Sequence, residues 1–71
     1  MPVAVDRRAE VTAVATGTGE SWTFFVTVKT YSHVGDATVS SLARAEALAE
    51  LERQGIEVSS LEVTHIEPMA D

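Results

Sequence analysis

No cysteine occurs in this chain, and that absence removes disulfides, thiolate metal sites and cysteine nucleophiles together. It also suits a reducing compartment, so a cytoplasmic location is expected. The two histidines, His33 and His65, stand far apart and in no metal-ligand spacing, so neither a metal nor another cofactor is expected. Long apolar runs are missing too. The longest are three residues, as in Phe24-Phe25-Val26, where a membrane span needs roughly 20. Arg7-Arg8 is followed by no apolar core, so neither a signal peptide nor a membrane anchor is expected.

Basic residues are scarce, five against eleven acids, and they are unevenly placed. Up to Arg44, Arg7, Arg8, Lys29 and Arg44 balance Asp6, Glu10, Glu20 and Asp36. From Ala45 onward seven acids face Arg53 alone, so the whole net charge of −6 lies in the last 27 residues. Such a surface repels phosphate backbones, which argues against direct nucleic-acid binding. It would steer a basic protein partner toward itself, although acidic helices also serve solubility alone.

What is present reads as one domain of 71 residues, with residues 1–8 as an N-terminal arm, 9–67 as the folded core and 68–71 as a disordered tail. A chain this short buries only about 60% of its unfolded surface. Without disulfides or metal, association with a second copy is the expected source of further burial.

Ala9–Thr16 is rich in Val, Thr and Ala and reads as a strand, which Val3 and Val5 could extend. Gly17-Thr18-Gly19-Glu20-Ser21 has the length and glycine content of a hairpin link. It resembles the opening of a phosphate loop, but the lysine and the following helix are missing. Trp22, Phe24, Val26 and Val28 then alternate with Thr23, Phe25, Thr27, Lys29 and Tyr31. That period predicts a half-buried strand with Phe24 in the core and Phe25 on the other face.

Tyr31–Val39 reads as a loop, with a short extra strand at Ala37–Val39 as an option. Ser40 or Ser41 is placed to cap a helix over Leu42–Gln54, ended by Gly55. Leu42, Ala45, Leu48, Ala49 and Leu51 or Glu52 mark successive turns of one side, and the leucines define the expected buried stripe. Ile56–Glu67 reads as the last strand, with a bulge or start at Ser59-Ser60. Leu61, Val63 and His65 are expected on one face, Glu62, Thr64 and Ile66 on the other, and Pro68 ends pairing.

The fold class is therefore α+β, in the order β-β-α-β: a mainly antiparallel sheet of three or four strands with one helix on one face. The second face is left uncovered and carries Phe25 and Tyr31, an arrangement that invites a partner.

The stretch Ser21–Val28 followed by Ser41–Ala49 resembles the small antitoxin domain of the HicB type, over roughly Val11 to Ile66. That family opens with a hairpin whose second strand is aromatic and β-branched, passes into an alanine- and glutamate-rich helix, and closes with a strand. Two departures stand out. The proline-glycine turn is replaced by Tyr31-Ser32-His33-Val34-Gly35-Asp36, and no DNA-binding segment follows before Asp71. The resemblance implies sequestration of a small, basic, RNA-cleaving toxin.

Tyr31, Ser32, His33 and Asp36 crowd one loop, but a catalytic triad needs three groups in hydrogen-bonding order plus an oxyanion site. Polar turn chemistry explains the same residues, and no catalytic residue is expected. Glu46 and Glu50 share a helix face with no opposing ligand cluster, and serve as candidate contacts for a basic partner. The expected function is thus a non-catalytic protein-interaction module, an antitoxin-like or regulatory subunit that is itself a homo-oligomer, most simply a dimer. Its candidate contacts are Phe25, Tyr31, Glu46 and Glu50. The alternative is a small oligomeric ligand-binding protein with Trp22, Phe25 and Tyr31 around an intersubunit cavity, where Trp22 serves as a stacking platform. An enzyme ranks third.

Overall fold

A computed structural model describes residues 3–68. It contains β1 (Ala4–Ala15), β2 (Ser21–Tyr31), α1 (Asp36–Arg53) and β3 (Val58–Ile66). The strands form one antiparallel sheet in the order β2-β1-β3, so the first strand is central. Both outer strands run antiparallel to β1 and hence parallel to each other, and α1 makes the crossover between them. This is the expected β-β-α-β order. Residues 37–39 are helical rather than a fourth strand.

β1 begins at Ala4, not Ala9, and residues 4–8 are sheet rather than a frayed arm. The reason lies in the partner. β2 is long enough to pair with β1 from Val14↔Ser21 out to Ala4↔Tyr31, which gives the amides of residues 4–8 somewhere to go. The expected tail, apart from Pro68, lies outside the described residues, as do residues 1 and 2.

The hairpin link is closed by the Ala15 N–H donating to Glu20 O at 2.8 Å and the Gly19 N–H to Ala15 O at 3.1 Å. Gly17 and Gly19 both take positive φ there, a backbone state that glycine adopts without steric cost.

The helix also starts earlier than its serines suggest. Gly35 is the N-cap, with no side-chain cap, and Asp36 sits in the first turn, where its charge complements the helix dipole. At the other end the Gly55 N–H reaches Glu52 O and the Ile56 N–H reaches Leu51 O, at 3.1 and 2.9 Å. With Gly55 at φ 73° this is a Schellman ending.

The buried stripe is Val39, Ala43, Ala47 and Leu51, one residue every fourth position. Leu42 and Leu48 are exposed, contrary to the leucine stripe expected from sequence. Ala43 and Ala47 on α1 share one buried cluster with Ala9 and Ala13 on β1, and small side chains on both layers suit a helix lying close over the central strand. A leucine at those positions would hold the layers apart. The core is consequently thin: the largest fully buried side chains are Val11 and Val39. Trp22 and Phe24 lie on the helix face, as the alternation predicts, but only half-buried, packed against this core.

β3 carries two irregularities. Val14 pairs with Ser60 and Ala15 with Val58, so Ser59 is the extra residue of the bulge expected at Ser59-Ser60. A second shift falls between Glu10↔His65 and Val11↔Val63, which leaves Thr64 unpaired. One extra residue exchanges the faces of everything beyond it. Ile66 therefore packs on the core, while His65 stands exposed opposite Glu10, the reverse of the simple alternation.

Candidate functional site

The sheet face that α1 leaves open is polar rather than greasy. Arg8, Glu10 and Thr12 of β1 alternate with the buried positions and point to it. From β2 it receives Thr23, Phe25, Thr27, Lys29 and Tyr31, the exposed half of the alternation. The Thr12 and Thr23 hydroxyls pair across the strands at 3.3 Å. The Thr64 hydroxyl, freed by its bulge, donates to the Glu10 carboxylate at 2.9 Å and lies 3.3 Å from the Glu10 carbonyl.

Phe25 is the centre of this face. It remains 47% exposed, and the Arg8 guanidinium stands over its ring at 4.1 Å from the centroid. Arg8 also pairs with Glu67 at 3.7 Å. A cation over an aromatic face at such a half-exposed site contributes about 0.5–1 kcal/mol. This contact lies outside what alternation could disclose, because it needs Arg8 to be in strand β1 rather than in an arm.

Tyr31, at the far end of β2, is six residues from Phe25, about 20 Å along the strand. It is exposed and stacks on His33, with ring centroids 6.1 Å apart. Asp36 turns away from this pair to bond Arg7 at 3.2 Å. Of the loop residues that suggest a triad, Tyr31 and His33 thus pair with each other and Asp36 with Arg7.

Glu46 and Glu50 lie on α1, on the opposite side of the sheet from Phe25 and Tyr31, so the four candidate contacts do not form one surface. Glu46 is exposed beside the β2 edge, in a shallow groove with Thr27, Val28, Leu42 and Ala45. Glu50 is engaged within the helix: Gln54 Nε2 donates to it at 2.8 Å and Arg53 pairs with it. The Gln54 hydrogen bond and then Arg53 hold its carboxyl below the usual glutamate range. Trp22 is on the helix face while Phe25 and Tyr31 are on the open one, so no cavity of a single protomer is lined by all three.

Arg7, which the sequence places among ordinary arm charges, is the main buried charge. Only 7% exposed, it lies on the helix face of β1, with Nη2 donating to Asp36 Oδ1 and to the Glu67 carbonyl, both at 3.2 Å. It ties together the starts of β1 and α1 and the end of β3.

No helix among the described residues is long and apolar enough to cross a membrane. No family model, characterised protein or solved structure matches the chain.

Proposed function

We propose that this chain is a non-catalytic protein-interaction module, a small regulatory or antitoxin-like subunit that self-associates and takes a basic protein partner on the open face of its sheet. The observation that carries the reading is the Arg8 guanidinium over Phe25. The half-exposed ring is already a seat for a guanidinium. A partner's arginine can take the same position by displacing Arg8 onto its ion pair with Glu67, with Glu10 directly opposite Phe25 as a carboxylate partner. The acids of α1 act at longer range, raising the local concentration of a basic partner without touching it.

Titration of the isotopically labelled protein with an arginine-rich peptide, and with a glutamate-rich peptide of equal length, tests this. The arginine-rich peptide is expected to shift the amide resonances of Glu10, Phe25 and Thr27. The effect should weaken as salt rises and charges beyond about 8 Å are screened. Equal binding of both peptides, or shifts confined to the helix, would overturn the reading.

A further inference from the structure

We infer that the free edge of β2 is the self-association surface, and that its occupant is the β2 edge of a second copy. The pairing is antiparallel and produces one six-stranded sheet with both helices on the same side. The inference rests on the self-association in the reading above and is independent of the basic partner.

The two edges of the sheet are treated differently. On β3 the ladder is broken by bulges at Ser59 and Thr64, and the Arg44 side chain on α1 donates from Nε to the Leu61 carbonyl at 3.1 Å. Bulges and covering side chains are the devices that keep a sheet edge from pairing with another chain. β2 has neither, and of the other edge-protecting devices it carries only Lys29, near one end of the strand. Its eleven residues pair with β1 without a register shift, contain no proline, and carry one charge, Lys29.

Hydrogen-bond parity identifies which groups are free. The Ala15 N–H donates to Glu20 O just before β2, and the Ser32 N–H donates to Val3 O just after it, both at 2.8 Å. Bonding alternates along an antiparallel pair, so the even residues of β2, Trp22 to Thr30, bond to β1. The odd residues Ser21, Thr23, Phe25, Thr27 and Lys29 direct their N–H and C=O groups outward.

A two-fold axis through Val26 is self-consistent on both faces. It sets Phe24 opposite the second copy's Val28 on the helix side, and Phe25 opposite the second copy's Thr27 on the open side. Lys29 then faces the second copy's Thr23, so the one charged residue of the strand does not meet its own copy. With each helix centred over its own β1, the two helices stand about 14 Å apart. That is wider than direct helix contact at 8–10 Å, and Leu42, 42% exposed in one chain, lines the gap with Ala45 and Glu46. The strand is about 37 Å long and the molecule 16–20 Å across. The side therefore offers on the order of 600 Å², against the roughly 800 Å² per partner of a standard interface.

Amide hydrogen exchange of the intact protein, read against concentration together with sedimentation, tests the inference. In the dimer the outward amides of Thr23, Phe25, Thr27 and Lys29 should exchange at least about a hundredfold more slowly than in dilute monomer. Thr27→Pro, which removes an outward donor and no β1 bond, should give a folded monomer, and Leu42→Glu should weaken the dimer at least tenfold. A dimer whose outward β2 amides exchange freely, or one that survives both substitutions, overturns the edge pairing while leaving self-association intact. A chain that stays at 7.6 kDa at every concentration overturns both.

Discussion

Arg7 on the central strand reaches Asp36, the first residue of the helix, at 3.2 Å, with the arginine buried and the aspartate 75% exposed. The asymmetry decides which loss matters. Without the guanidinium, Asp36 returns to water at little cost, whereas without Asp36 a buried guanidinium is left with the Glu67 carbonyl and no counter-charge. Asp36→Ala should lower stability by about 1–3 kcal/mol, and Arg7→Met, which keeps the apolar stem and removes the charge, by less. Thermal melts of the two variants give the order, and the reverse order would mean that the site depends on the donors of Arg7 rather than on neutralising its charge.

The two phenylalanines separate the faces of β2. Phe24 packs half-buried against the core while Phe25 stands on the open side. Phe24→Ala should cost about 2–3 kcal/mol, less than the 3–5 of a fully buried ring. Phe25→Ala should cost less than about 1 kcal/mol, the Arg8 contact included. Chemical denaturation measures both, and a larger loss at Phe25 would reverse every inside–outside assignment on this strand.

On the helix, Val39, Ala43, Ala47 and Leu51 carry the packing, and Leu42 and Leu48 do not. Ala43→Leu and Ala47→Leu should each destabilise by about 1–3 kcal/mol through overpacking against β1. Leu48→Ala, at an exposed position, should stay within about 0.5 kcal/mol of the parent. Calorimetry of the three variants would refute the stripe if Leu48→Ala proved the most damaging.

Glu50 makes a small, signed contribution to acid stability. Gln54 and Arg53 hold its carboxyl below the usual glutamate range. The folded state therefore binds the proton less readily than the unfolded chain, and the stabilisation is present above the unfolded glutamate pKa. It is lost as pH falls through the lowered folded value. Glu50→Gln should narrow the stability difference between neutral and acid pH by lowering the neutral melting temperature slightly, with little change once the parent's Glu50 is protonated. A steeper acid transition in the variant would give the opposite sign.

Charge steering has a kinetic signature. Glu46→Gln combined with Glu50→Gln should slow association with an arginine-rich peptide more than it speeds dissociation, because both acids lie away from Phe25. Stopped-flow traces in which only dissociation changes would place these acids in direct contact.

Alternation from Trp22 to Val28 was enough to assign both faces of β2, because on a paired strand successive side chains must point to opposite sides. The helix, its glycine ending, the hairpin and the Ser59-Ser60 bulge were legible for similar local reasons. The helix start was not. Ser40 and Ser41 look like caps, yet Asp36–Val39 is helical, drawn in by burial of Val39 and by Arg7 waiting at Asp36. The alanines of the stripe are hidden because alanine carries little hydropathic signal, and of the three leucines only Leu51 lies on the buried side.

Of the candidate contacts, Phe25 and Tyr31 could be placed on the open face from sequence, but their separation from Glu46 and Glu50 could not. Sequence by itself determined the order and type of the elements, since backbone preference and side-chain periodicity act within a few residues. Tertiary structure alone decided which side of α1 is buried, that Ile66 rather than His65 faces the core, that Arg7 is enclosed, and that β2 keeps an open edge. Each of these depends on how one segment registers against another distant in sequence, and a single unpaired residue such as Thr64 exchanges the faces of all that follow.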